Sequence, residues 1–213
     1  MHENGLIADP IAEKRRAKRR REILAATLRG VRHHGPLVST AQIAALAKCS
    51  KETIYGWFGD RDGLMRTLVE EQALAMAALL EAQQPALGET LTTQLRKQAV
   101  VLLDIMTGDA HLAVHQIAIS QDGQKGPRDL GKAVMEQWYS QIVARFSALM
   151  QRGVRDGVLV VYSPSEAFED LVGLLIGDRQ RQLLLGINAR PPADQMEAVA
   201  GKAVQRWLVL YGV

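Results

Sequence analysis

Twenty-three residues, Ser39 to Arg61 (STAQIAALAKCSKETIYGWFGDR), leave the least freedom to whatever folds around them. Ser39 with Gln42 three residues later is the signature of a capping box. Ile43, Ala44, Leu46 and Ala47 then give the following helix an apolar face, with alanines where a second helix must come close. Only Lys48 and Cys49 separate Ala47 from Ser50, itself a good N-cap, so a helix over Lys51–Trp57 must begin almost at once. Two short helices joined by so few residues, with Ala44 inside one and Ile54 inside the other, make a helix-turn-helix. In that motif the second helix lies in the DNA major groove.

Charge supports the same reading. Residues 1–66 hold 13 Lys and Arg against 7 Asp and Glu, a net of +6, whereas residues 67–213 hold 13 against 16, a net of −3. Basic charge concentrated where the helix-turn-helix lies is the footprint of a nucleic-acid-binding head on a neutral-to-acidic body. Lys14–Arg21 (KRRAKRRR) is the densest part. Composition alone also fits a solvated helix end, a nuclear-localisation signal or an anionic membrane contact. Directly before a helix-turn-helix, phosphate or minor-groove contact is preferred, with Arg19 and Arg20 as the candidates.

At 213 residues and 47% hydrophobic content the chain can bury a large core. It lacks an apolar run long enough to span a membrane, and its first residues lack a signal-peptide core. A single cysteine, Cys49, excludes an internal disulfide framework and fits a reducing cytoplasm.

The rest reads as helix after helix. Met1–Ile11 shows no periodicity, and residues 1–13 are expected to form a disordered arm. Ile23, Leu24, Thr27, Leu28 and Val31 mark a helix over Glu22–His33, ended by Gly35 and Pro36. Asp60 can cap a further helix, about Arg61–Gln83, before a break at Pro85 and Gly88. Downstream stripes run from Leu91 to Met106, from Asp109 to about Ser120, from Pro127 to Arg152, from Ser165 to Leu185 and from Ala193 to Tyr211. The expectation is an all-α chain of about nine helices: arm 1–13, DNA-binding head 14–66, helical body 67–213. Val158–Val161 is too isolated a run to argue for a sheet.

At the DNA, Ser39 and Thr40 can present hydroxyls and free backbone N–H groups to a phosphate, or simply cap the helix. Ser50 stands at the start of the recognition helix in the same way. Lys51 and Thr53 lie early in that helix, where Lys reaches guanine O6/N7 and Thr a thymine methyl. Glu52 could accept from cytosine N4, although a Glu at a helix start is more often there for the dipole. Ile54 and Phe58 are assigned to the core.

In the body, Met106, His111, His115, Trp138, Tyr139 and Phe146 are the candidates for a ligand cavity. Met or aromatic stripes are ordinarily plain core. His111 and His115 have metal-ligand spacing; no Cys or third His lies nearby, although Asp104 and Asp109 could help, and core or pocket histidines are preferred, so no metal site is assigned. No cofactor is expected. Gly173 and Gly177 suit a close helix–helix approach. Asp178, Arg179 and Arg181 exclude a membrane span there and leave a dimer contact or a polar ligand contact open. No Walker loop, dinucleotide-binding glycine fingerprint, G-x-S-x-G elbow or His-Glu-x-x-His pair speaks for an enzyme.

The segment Glu22–Leu68 resembles the DNA-binding domain of the TetR (tetracycline-repressor-like) transcriptional regulators. The resemblance rests on Ile23-Leu24-Ala25-Ala26, Gly35, Thr40 through Ala47, Ser50 through Tyr55, Phe58, and Asp60-Arg61-Asp62-Gly63-Leu64. It implies a cytoplasmic homodimer, usually a repressor, on a palindromic operator. It further implies a small-molecule pocket in the C-terminal domain and a dimer interface built from the last two long helices, about 165–185 and 193–211. Ligand binding would reorient the heads and release DNA; the competing reading is a ligand-independent architectural DNA-binding protein. Tyr55 resembles the family's phosphate-contacting tyrosine, and Arg61 stands where the family often has a phosphate-binding Lys. Three positions depart from the pattern: Lys48 stands where the turn usually has Gly; Gly56 where a large side chain is common, so that a direct base contact is expected to be missing there; and Trp57, kept among the DNA-contact candidates with its phosphate role open, where Tyr or His is usual. Lys48 is therefore expected to hold a left-handed backbone.

Overall fold

The computed structural model describes residues 10–82, 88–121 and 139–213. Among them there are ten α-helices and no β-strand: α1 (Pro10–His34), α2 (Thr40–Ala47), α3 (Lys51–Phe58), α4 (Arg61–Glu81), α5 (Leu91–Met106), α6 (Asp109–Gln121), α7 (Ser140–Arg155), α8 (Pro164–Ile176), α9 (Arg179–Leu184) and α10 (Met196–Tyr211). The fold is all-α, as periodicity alone suggests. Two compact units result, Met1–Leu68 and Val69–Val213, with the boundary inside α4.

In the first unit α1 is longer than its apolar stripe. The basic run expected ahead of a helix lies within it, and Pro10–Glu13, expected in the disordered arm, are helical. Pro10 at the first helical position, followed after Ile11 by Ala, Glu, Lys and Arg, explains the extension, because these four are good helix formers that need no apolar face. Ile23, Leu24, Ala26, Thr27 and Val31 are buried, and Thr27 donates to the Ile23 carbonyl at 2.9 Å. Gly30 lets α2 approach: a Cβ there would lie 3.3 Å from Val38 and 3.4 Å from Leu46.

The turn between α2 and α3 is held at both ends. Ser39 and Gln42 form the capping box, Oγ accepting from the Gln42 N–H while Gln42 Oε1 accepts from the Ser39 N–H. Ser50 Oγ accepts from the Thr53 N–H at 3.1 Å. Between the caps Lys48 is left-handed, with φ 51° and ψ 52°, the one non-glycine residue of positive φ among those described. An L-residue there costs roughly 1–2 kcal/mol and glycine's added chain entropy offsets part of that, so Lys48→Gly should stabilise this unit by about 1 kcal/mol in urea unfolding.

In the second unit α10 packs against α5 and α8, and α7 against α8. Trp207 is fully buried, donates to the Ala167 carbonyl at 2.6 Å and stacks on Tyr211 at 4.8 Å. Arg145 and Arg152 of α7 donate to Gln98 and Gln94 of α5. Leu159 and Gly212 form an isolated bridge rather than a sheet. Two boundaries differ from the sequence reading. The expected Ser165–Leu185 helix breaks, because Gly177 takes φ 53° and Arg179 donates to the last α8 carbonyls, Leu175 and Ile176. Gly177 is thus a helix terminator. The expected Pro127–Arg152 helix is described from Ser140 onward, to Arg155; its first half, with the turn at Asp122–Pro127 and Trp138, lies outside the described residues.

Candidate nucleic-acid interface

α3 is amphipathic in the sense a recognition helix requires: Ile54 and Phe58 are buried, while Lys51, Glu52, Tyr55, Gly56 and Trp57 are exposed. Lys51 with Tyr55, and Glu52 with Gly56, are four apart and stack along the exposed side. Glu52 has its carboxyl held below the usual range by hydrogen bonds with its own backbone and with Ser50, so it is drawn into capping the helix. Thr53 is half-buried and its hydroxyl meets Ser50 Oγ at 3.1 Å. Ser39 is exposed; Thr40, next to it, is 7% exposed, which leaves mainly its backbone N–H for an outside partner.

Three arginines divide the work around this helix. Arg19 donates to Glu22 and, 29 residues away, to the Lys48 carbonyl at 2.9 Å, so it braces the left-handed turn. Arg20 places its guanidinium 5.9 Å from the centre of the Phe58 ring. Arg61 donates to the carbonyls of Pro36, at 2.6 Å, and Val38, tying the start of α4 to the loop before α2. Arg16 and Ala17, not singled out from the sequence, join Glu13, Arg20, Gly56 and Trp57 around a groove of about 430 Å³. Their spacing along α1 with Arg20 was the available signal.

Comparison with known proteins follows the same lines. Residues 93–213 match the family described as AefR-like transcriptional repressor, C-terminal domain. A TetR transcriptional regulator from Agrobacterium tumefaciens is 32% identical, with 91% of this chain and 95% of that chain covered and a TM-score of 0.63. The chain belongs to the TetR family. A TetR-family protein from Mesorhizobium loti MAFF303099 has a TM-score of 0.76 at 22% identity, over 92% and 98% of the two chains. The flavonoid-responsive regulator FrrA has a TM-score of 0.67 at 19% identity, over 92% and 98%. None of the curated proteins compared by sequence matches the chain. As a TetR-family protein it is a DNA-binding transcriptional regulator. Among the described residues no helix is long and apolar enough to cross a membrane.

The second unit of this TetR-family chain separates the candidate ligand residues. Met106, Tyr139 and Phe146 lie in or against one apolar cluster. Phe168 of α8 joins them there, its ring 5.1 Å from Phe146 and 5.6 Å from Tyr139. No periodicity argument links α8 to α7, so Phe168 escapes a reading of the sequence. His111 and His115 form their own pair on α6, with ring centres 4.1 Å apart. Gln180 of α9 meets His111 Nε2 at 3.1 Å, and His115 Nδ1 meets the His111 carbonyl at 2.9 Å. Burial, reinforced by His115, pushes the His111 ring down to about 3. Asp104 pairs with Arg190 at 2.6 Å. Among the described residues no group of three or more His, Cys, Asp or Glu could hold a metal ion. Asp178 and Arg181 pair with each other within the chain.

Proposed function

We propose that this chain is a homodimeric repressor that reads a palindromic operator with α3 and leaves it when a small molecule occupies the helical body. The carrying observation is the capped recognition helix itself, with Ile54 and Phe58 buried and Lys51 and Tyr55 turned outward. The match of residues 93–213 to an AefR-like repressor C-terminal domain supports repression over activation.

In this reading Lys51 donates to guanine and Thr53 offers its methyl to thymine. Ser39, the Thr40 and Lys51 N–H groups and Tyr55 hold phosphates, while Ser50 keeps those N–H groups aimed. Arg61 and Arg19 act chiefly through the loop and turn they brace. Dimerisation uses α8 and α10. Gly173 and Gly201 have open space where a Cβ would stand, and Val209 is 84% exposed, so the pair offers close approach and apolar area. A ligand releases DNA only through unequal affinity for the two states of the dimer.

Selection of bound DNA from a random pool tests the reading directly: a palindrome with half-sites about 10 base pairs apart is expected. Lys51→Ala should lower affinity for the selected site roughly tenfold while leaving random DNA nearly unchanged. Tyr55→Phe should weaken both alike. Equal loss on both from Lys51→Ala would remove its base-reading role. A monomer by light scattering would remove the dimer.

A further inference from the structure

We propose that the groove between the first turns of α1 and the second half of α3 seats one DNA backbone phosphate with its sugar, beside the bases that α3 reads. The inference deepens the DNA-binding reading and rests on it. Glu13, Arg16, Ala17 and Arg20 recur three, four and seven residues along one face of α1 and, with Gly56 and Trp57, enclose about 430 Å³. Two guanidinium groups against one carboxylate make the groove attractive to an anion. Arg19, the neighbour on the adjoining face, is committed to the Lys48 carbonyl and Glu22 and serves a different purpose.

Gly56 shapes the floor. No heavy atom lies within 4 Å of the place its Cβ would take, so the groove passes directly over the α3 backbone. Gly56 follows Glu52 by one helical turn and both are exposed, so the groove opens on the Glu52 row of α3, beside the row that carries Lys51 and Tyr55. Trp57, 37% exposed, contributes a flat apolar wall for a deoxyribose and an indole N–H, which can only donate. Arg20 is steadied over Phe58 and needs little ordering to meet a phosphate. A small-molecule site would wrap its ligand on most sides, burying roughly 70–90% of it. This groove has few walls and is open along one side; a duplex closes it by lying across it.

The absence of a side chain at position 56 is thus a feature of the interface rather than a missing base contact. Gly56→Gln tests this with the full chain and the DNA selected by the parent protein. The variant should melt no lower, since a glycine in a helix interior is replaced over open space. It should bind that DNA about tenfold more weakly, with the log–log salt slope shallower by about 1 and base preference unchanged. Gly56→Ala, adding one methyl, should move the same way by less and guards against a folding effect. Arg16→Ala should reduce the slope similarly, and the double variant Gly56→Gln, Arg16→Ala should lose no more than either alone. Arg15→Ala, outside the groove, should change the slope less. Unchanged affinity and slope in Gly56→Gln, an altered base preference, additive losses, or an Arg15 effect equal to that of Arg16 would each overturn the groove. A parent chain that selects no DNA would overturn the reading beneath it instead.

Discussion

Gly63→Ala is expected to destabilise the DNA-binding unit by about 3 kcal/mol, the upper part of the range for overpacking. Gly63 lies in the first turn of α4, where glycine is a poor helix former and needs a reason. A Cβ would stand 2.0 Å from the Phe58 carbonyl oxygen and 3.2 Å from its carbon. That obstacle is main chain, and Phe58 is buried at the end of α3, so the carbonyl has nowhere to go. The alternative is to shift the start of α4, which breaks the 2.7 Å bond from the Gly63 N–H to Asp60 Oδ1. Because the end of the recognition helix would move too, DNA affinity should fall together with stability. Urea unfolding and DNA titration of the same variant check both. A melting point equal to the parent's would mean the Gly59–Asp60 turn relaxes freely.

What could be read in advance was local chemistry. Ser39 with Gln42, Ser50 at the next helix start and Asp60 before α4 each act on a backbone N–H three residues on, so the sequence carries the whole interaction. The left-handed backbone at Lys48 was legible only through the resemblance, in which that turn position usually carries Gly. The extension of α1 was harder to see, because Lys14–Arg21 has no apolar stripe and its helix rests on propensity alone. The break at Gly177 was hidden by the apolar run through Leu171–Ile176, which continues up to a backbone angle no pattern marks. Roles that need two distant segments were out of reach: Arg19 on the Lys48 carbonyl, Arg61 on Pro36, and the 69-residue separation between His111 and Gln180. Arg61 illustrates the consequence. A resemblance places it at a phosphate, but its guanidinium is engaged with two carbonyls of the loop before α2. Its removal would act through that loop as well as through charge.

Stability of the second unit is expected to fall as pH drops below about 6.5, because of His111. Its ring is buried, and Gln180 Nε2 donates to its Nε2, a bond only the neutral imidazole can accept. Desolvation, with His115 adjacent, holds its folded-state value down at about 3, against 6.5 as the ordinary value. The unfolded chain therefore binds the proton first as pH falls, and the folded state loses ground. One proton gives about 1.4 kcal/mol per pH unit, so about 2 kcal/mol is lost between pH 6.5 and pH 5. The decline levels off only near the folded-state value, and the slope fades out over about one unit above pH 6.5. His115 acts in the same direction, desolvation outweighing the bond to the His111 carbonyl. His111→Gln retains a hydrogen-bonding group opposite Gln180 and removes the titration. Urea unfolding of parent and variant at pH 7, 6 and 5 separates this from carboxylate effects, which both proteins share. The variant should lose about 2 kcal/mol less than the parent over that interval. Parallel pH curves would show that His111 takes up its proton in the folded state as readily as in the unfolded one, and the neutral Gln180–His111 bond would have to be abandoned.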